Sequence, residues 1–194
     1  MAIVSPTLRI VYYDVTKVAC TSMKRLLYEV ETGHPHVVVA PLRGVRRRIA
    51  AALGRPVRGV PRLHAVDWLE TVAFDPGAGP AAADGAAHYH RLAIVRDPIF
   101  RLRSAWKNKI HRTQLAARPR EVAALATAGL SDDPDFGTLI DGFETYRQLA
   151  TPVRVHTTPF SWHLGDDLGF FNSVHRLEPP DTIIELLAAR ARRP

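Results

Sequence analysis

Residues 11–30, "VYYDVTKVACTSMKRLLYEV", change periodicity part-way along. Up to Tyr13 the chain is a short apolar run of β-branched and aromatic residues, which predicts a buried strand over 8–13. From Cys20 onward, Met23, Leu26, Leu27 and Val30 recur at three- and four-residue spacing, which predicts a helix. Between the two lies a loop of small and hydroxylated residues carrying Lys17. A strand-to-helix junction presents free backbone amides and the positive end of a helix dipole, and a lysine beside them completes an anion site. Thr21 and Ser22 are predicted N-terminal caps, because their hydroxyls can accept from first-turn amides. The nucleotide loop G-x-x-x-x-G-K-[ST] is absent, and Val18 follows Lys17 where that motif places its magnesium-holding hydroxyl. A site for an anion but not for magnesium favours sulfuryl over phosphoryl transfer. An ordinary capped helix with solvated lysines would use the same residues, and this loop alone does not separate the two.

A second junction follows at 91–110, "RLAIVRDPIFRLRSAWKNKI". "LAIV" predicts a strand, Asp97 a helix cap and Pro98 the first helical position, where its missing N–H is harmless. Ile99, Leu102, Trp106 and Ile110 then keep helical spacing. Arg96 ends the strand, and Ser104 lies about two turns beyond Asp97 on the same helix face. An arginine fork with a neighbouring hydroxyl matches a phosphate.

Elsewhere the pattern predicts a strand at 36–40, an arginine-rich helix ending near Gly54-Arg55-Pro56, and a surface loop at 75–87. A helix at 136–150, a strand at 170–178 and an amphipathic helix at 181–193 complete the chain, with no internal repeat. The N-terminus leads directly into the strand at 8–13. Strand, loop and helix occurring twice, with further helices between strands, predict one α/β domain over 1–194. Its form is three layers around a mainly parallel sheet, with ligands at the carboxyl ends of the strands.

Composition narrows the chemistry. No window approaches the ~18 apolar residues of a membrane span, and no secretory layout is present, so a soluble cytoplasmic protein is expected. Cys20 is the single cysteine, which excludes an internal disulfide and a cysteine-cluster metal site. The net charge of +7 favours an anionic partner, and residues 43–62 hold seven arginines and no acid. That cluster would suit a nucleic acid, an anionic acceptor or a solvated helix face. It lacks interleaved aromatics and any recognition motif, which argues against nucleic acid. Arginine outnumbers lysine and alanine abounds, a usage that accompanies GC-rich genomes.

Residues 16–25, "TKVACTSMKR", resemble the 5′-phosphosulfate loop of the Golgi-type carbohydrate sulfotransferases (sulfotransferase family 2), commonly Pro-Lys-Val-Ala-Cys-Thr-Asn-Trp-Lys. Residues 92–110 are similar to that family's 3′-phosphate motif, Phe-Val-Arg-Asp-Pro-Phe-x-Arg-Leu-x-Ser-Ala-Tyr-x-x-Lys. Residues 155–178, "VHTTPFSWHLGDDLGFFNSVHRLE", are a weaker echo of its histidine-containing segment, ending at Glu178. The resemblance, to a soluble bacterial member, implies a P-loop-NTPase-like fold. It implies 3′-phosphoadenosine 5′-phosphosulfate (PAPS) as donor, no metal, and a carbohydrate or small-molecule hydroxyl as acceptor. By matching position, Lys17, Thr21, Ser22 and Lys24, with the backbone of Val18, Ala19 and Cys20, would hold the 5′-phosphosulfate. Arg96 and Ser104 would hold the 3′-phosphate. The chain departs from the pattern at Thr16, which replaces proline, and at Ser22-Met23, which replace Asn-Trp. A membrane anchor and stem like those of the Golgi enzymes are not expected.

Lys17 is the candidate cation where charge develops during transfer. The acceptor's proton calls for a base, and histidine suits that near neutral pH. Nine histidines compete for the role. By resemblance His64, between the two junctions, comes first and His156, in the third segment, second, with Asp67 and Glu70 as carboxylate options. Trp68 and Trp162 would stack on an acceptor or fill the core. Cys20 is read as a small hydrophobe and not a nucleophile. Two other readings stay open at this point: a small-molecule kinase, and a donor-binding relative without catalysis.

Overall fold

The computed structural model describes residues 2–34, 71–72, 88–111, 115 and 118–192. The predicted strand at 36–40, the arginine cluster, the loop at 75–87, and His64, Asp67, Trp68 and Glu70 lie outside the described residues.

Among the described residues a mixed α/β architecture surrounds a sheet of five strands. These are β1 (Ala2–Ser5), β2 (Ile10–Tyr13), β3 (Thr71–Val72), β4 (His90–Val95) and β5 (Ser173–Arg176), in spatial order β3-β1-β2-β4-β5. β2 pairs in parallel with β4, Tyr12 opposite Leu92, and β4 pairs in parallel with β5, Ala93 opposite Val174. β1 pairs antiparallel with both β2 and β3, so it alone runs against the other strands. The N-terminus therefore does not enter β2 directly: "AIVS" forms a strand of its own and turns back at Pro6–Arg9. The Arg9 amide donates to the Pro6 carbonyl at 3.1 Å, and Leu8 leaves the predicted strand to be buried in the turn. Four residues are too few to display a period of two, so this strand left no pattern to read.

All four β2 side chains are buried, and because successive strand residues face opposite ways, both faces of the sheet are covered there. Met23 and Leu27 of α1 (Cys20–Thr32) share that core with Ile183 and Leu187 of the C-terminal helix (Asp181–Ala191). Glu31 near the end of α1 accepts from the Ser5 hydroxyl and from both the amide and hydroxyl of Thr7, pinning the hairpin turn. Gly33 then stops the helix in the left-handed region (φ 67°), its amide reaching the Glu29 carbonyl at 3.0 Å.

α2 (Pro98–Lys109) links this core to a second, helical one built from Ile110, Leu125, Leu139, Tyr146 and Val153, with Leu102 and Trp106 packed against it. The helices of that cluster are α3 (Pro119–Thr127), α4 (Phe136–Asp141), α5 (Phe143–Leu149) and α6 (Thr151–Thr157). The single helix predicted over 136–150 is divided at Gly142. A Cβ there would meet the Tyr146 ring at 3.2 Å and Leu130 at 3.3 Å, so glycine permits the close packing that bends the chain. α7 (Phe160–Leu164) and a 3₁₀ turn (Leu168–Phe170) lead into β5. Among the described residues no helix is long and apolar enough to cross a membrane.

Candidate active site

The loop between β2 and α1 contains no glycine, yet its backbone takes up a conformation that glycine normally provides. Lys17 (φ 66°) and Ala19 (φ 61°) both occupy the left-handed region that glycine normally supplies. Val18 between them is fully buried in the sheet core and anchors the loop. The helix begins at Cys20 with Ala19 as its N-cap, and no side chain caps it. Thr21 and Ser22 are thus inside the first turn, not caps as predicted. Among the described residues no side chain accepts from the first-turn amides, which is the condition for holding an external anion. α2 differs: Asp97 accepts from the amides of Ile99 at 2.9 Å and Phe100 at 3.2 Å, with Pro98 in its first turn, as the sequence predicted. Whatever anion lies near α2 must rely on side chains.

Those side chains and the α1 loop meet in one cleft of about 610 Å³ at the carboxyl ends of β2 and β4. Lys17, Ala19, Cys20, Thr21 and Lys24 line it from the first junction, Arg96 and Ser104 from the second, and His156 from α6. Ser22 is exposed and Val18 buried, and neither is among the lining residues. Lys24 is committed: its ammonium is buried and lies 2.5 Å from the Asp14 carboxylate, an internal pair beneath the loop. Arg96 leans on Glu178, with Nη2 at 2.6 Å and Nε at 2.9 Å from the same carboxylate oxygen, Oε1. Lys109 and Asn108 also line the cleft. Sequence reasoning gave them no role, although Lys109 stands where the second motif has its last lysine.

Electrostatics reveal what the cleft lacks. Burial lowers the Lys17 pKa, and repulsion from Lys109 and Arg96 lowers it further, with Cys20 opposing. Among the described residues Lys24 has Asp14 and Arg96 has Glu178, while no acid pairs with Lys17 or Lys109, and a cluster of cations in that state is suited to a multiply charged anion. His156 is half-buried, and its Nδ1 has no hydrogen-bond partner among the described residues. Burial, then Lys17, Lys109 and Arg101, lower its pKa to about 4. It is therefore neutral at pH 7. Because the unfolded imidazole titrates near 6.5, the unfolded chain binds the extra proton between pH 6.5 and 4. The fold should lose stability as pH falls through that window, with no further loss from this group below about 4. Thermal unfolding of His156→Gln should show a shallower acid decline than the native chain; identical declines would refute this coupling.

Other predicted residues are accounted for differently. Trp162 is 78% exposed, so it is not the core residue considered above. Cys20 opens α1 at the cleft wall and is only partly buried. Trp106 belongs to the helical core, donating to the Pro134 carbonyl at 2.8 Å and stacking on His111. A neighbouring cavity of about 540 Å³, walled by Phe100, Phe160, Leu164 and Leu168, shares Arg96 with the cationic cleft. Thr16, which stands where the resembled loop has proline, accepts through both its carbonyl and its hydroxyl from buried Arg101.

No curated protein and no solved structure matches the chain. A family model does: that of the Sulfotransferase family, over residues 1–191. With nearly the whole length matched, the chain belongs to the sulfotransferase family and is an enzyme of sulfuryl transfer to hydroxyl-bearing acceptors.

Proposed function

We propose that the protein carries a sulfuryl group from PAPS to a hydroxyl of a carbohydrate or small-molecule acceptor, as one P-loop-like unit spanning 1–194. The observation that carries this reading is the convergence of Lys17, Thr21, Arg96, Ser104 and Lys109 on one cleft beside an uncapped helix start. PAPS has an anion at each end of its ribose, and the cleft has cations from each of two junctions, so the residues present fit it. When bound, PAPS supplies the sulfuryl group. The amides of residues 20–22 and Lys17 would hold the phosphosulfate end; Arg96, Ser104 and Lys109 would hold the 3′-phosphate end. Lys24, paired with Asp14 and also lining the cleft, would support the loop from beneath. Lys17 places its charge where negative charge builds on the bridging oxygen, the kind of preorganised contact that lowers a barrier most. His156, neutral and on the cleft wall, takes the acceptor's proton.

If Arg96 and Ser104 read the 3′-phosphate, the native protein should bind 3′-phosphoadenosine 5′-phosphate far more tightly than adenosine 5′-phosphate. Arg96→Ala should remove most of that preference, a loss of more than about tenfold for a charge-assisted contact. Part of the loss is repulsion from Glu178, left without its partner, so adding Glu178→Gln to Arg96→Ala should recover some affinity. Calorimetry with the two nucleotides decides it; a preference that survives Arg96→Ala would reject the assignment of this end.

A further inference from the structure

Arg101 lies one turn into α2, and the residue is only 5% exposed. A buried guanidinium needs partners for its fork, and this one finds them on two other segments. Nε donates to the Thr16 carbonyl at 3.0 Å and Nη2 to the Thr16 hydroxyl at 3.1 Å. Nη1 donates to the Thr158 carbonyl at 2.6 Å, and the guanidinium lies over the Phe160 ring, 4.6 Å from its centroid. Thr16 directly precedes Lys17, and Thr158 ends the helix that carries His156. We propose that Arg101 is a positioning residue that holds the Lys17 loop against the end of the His156 helix, fixing the spacing of cation and base across the cleft.

Three observations support this. A non-glycine residue in the left-handed region persists only where its surroundings over-determine it, and Lys17 is such a residue (φ 66°). The two contacts to Thr16 grip the peptide immediately before it. The planar fork reaches both segments at once, which a lysine could not do. The reading of Lys17 and His156 as the reacting pair is the one given above, and this inference rests on it.

Two variants test the idea while leaving the number of charges unchanged. Thr16→Val keeps the β-branched shape but removes the hydroxyl acceptor; Arg101→Lys keeps the cation but removes the fork. Each is examined by calorimetry with 3′-phosphoadenosine 5′-phosphate, by thermal unfolding, and by NMR titration of the His156 ring without ligand. With Lys17 released, the His156 midpoint should move up from about 4 toward its ordinary value in both variants. Nucleotide affinity should fall about fivefold in Thr16→Val and more than about tenfold in Arg101→Lys. A purely structural Arg101 would lower the unfolding temperature and leave both the midpoint and the affinity native, and that result overturns the proposal. Should Arg101→Lys fail to fold, Thr16→Val decides alone. A native protein that does not bind the nucleotide would refute the donor reading, and the ligand-free His156 midpoint would still decide the role of Arg101.

Discussion

Lys17→Ala is expected to weaken binding of 3′-phosphoadenosine 5′-phosphate by more than about tenfold, a charge-assisted contact of roughly 1.5–3 kcal/mol. Turnover should fall further, by about 10²–10³-fold, if the ammonium faces the position where charge grows during transfer, as proposed. Two features make Lys17 the sensitive cation. It is half-buried, so its charge is poorly screened by water, and it is already repelled by Lys109 and Arg96. An arriving anion relieves that repulsion as well as gaining a contact. Lys24, seven residues on, offers the contrast. Its ammonium is spent on Asp14, so Lys24→Ala should appear as a lower unfolding temperature, from a carboxylate left buried without its cation. Calorimetry and unfolding curves on the two variants separate the roles. A Lys17→Ala protein with native affinity would remove the phosphosulfate end from this loop.

His156→Gln should lower turnover by about 10²-fold or more while leaving nucleotide affinity within about twofold. In the free protein its pKa of about 4 makes it a weak base, because Lys17, Lys109 and Arg101 disfavour a further positive charge. Bound phosphate and sulfate would offset those cations, and an anion beside an imidazole favours its protonated form. The His156 midpoint should therefore rise toward the ordinary value of 6.5 when 3′-phosphoadenosine 5′-phosphate is added. Base strength would then arrive with the donor. Turnover is read as nucleotide release from PAPS, with an acceptor found by screening hydroxyl compounds for the mass of an added SO₃ group. Full activity in His156→Gln would move the base elsewhere, and His64→Ala is the next variant to measure.

What the sequence disclosed, and what it hid, follows from the length scale of each signal. β2, β4 and the helices that follow them were legible because apolar runs and helical spacing extend over whole elements. The Asp97 cap was legible because a cap is a local hydrogen bond. The hairpin strand Ala2–Ser5 was not, since four residues hold too little pattern and its partner lies across a turn. Ala19 as the α1 N-cap was hidden because residues 17 and 19 adopt the left-handed backbone without a glycine to mark it. Lys109 could have been read from its place at the last lysine of the second motif, whereas the contacts of Arg101 depend on distant partners. Arg101 pairs with carbonyls at 16 and 158, and carbonyls carry no sequence signature. Lys24 looked like a free cation until Asp14 was found beneath it. Cations near a loop can be read from sequence; which of them are already neutralised cannot.

The central claim is that one cleft takes both charged ends of the donor. A crystal structure of the complex with 3′-phosphoadenosine 5′-phosphate tests it most directly. The account predicts the 5′-phosphate against Lys17 and the amides at the start of α1, and the 3′-phosphate against Arg96 and Ser104. Density for either phosphate outside this cleft, or for the two on unconnected surfaces, would contradict it.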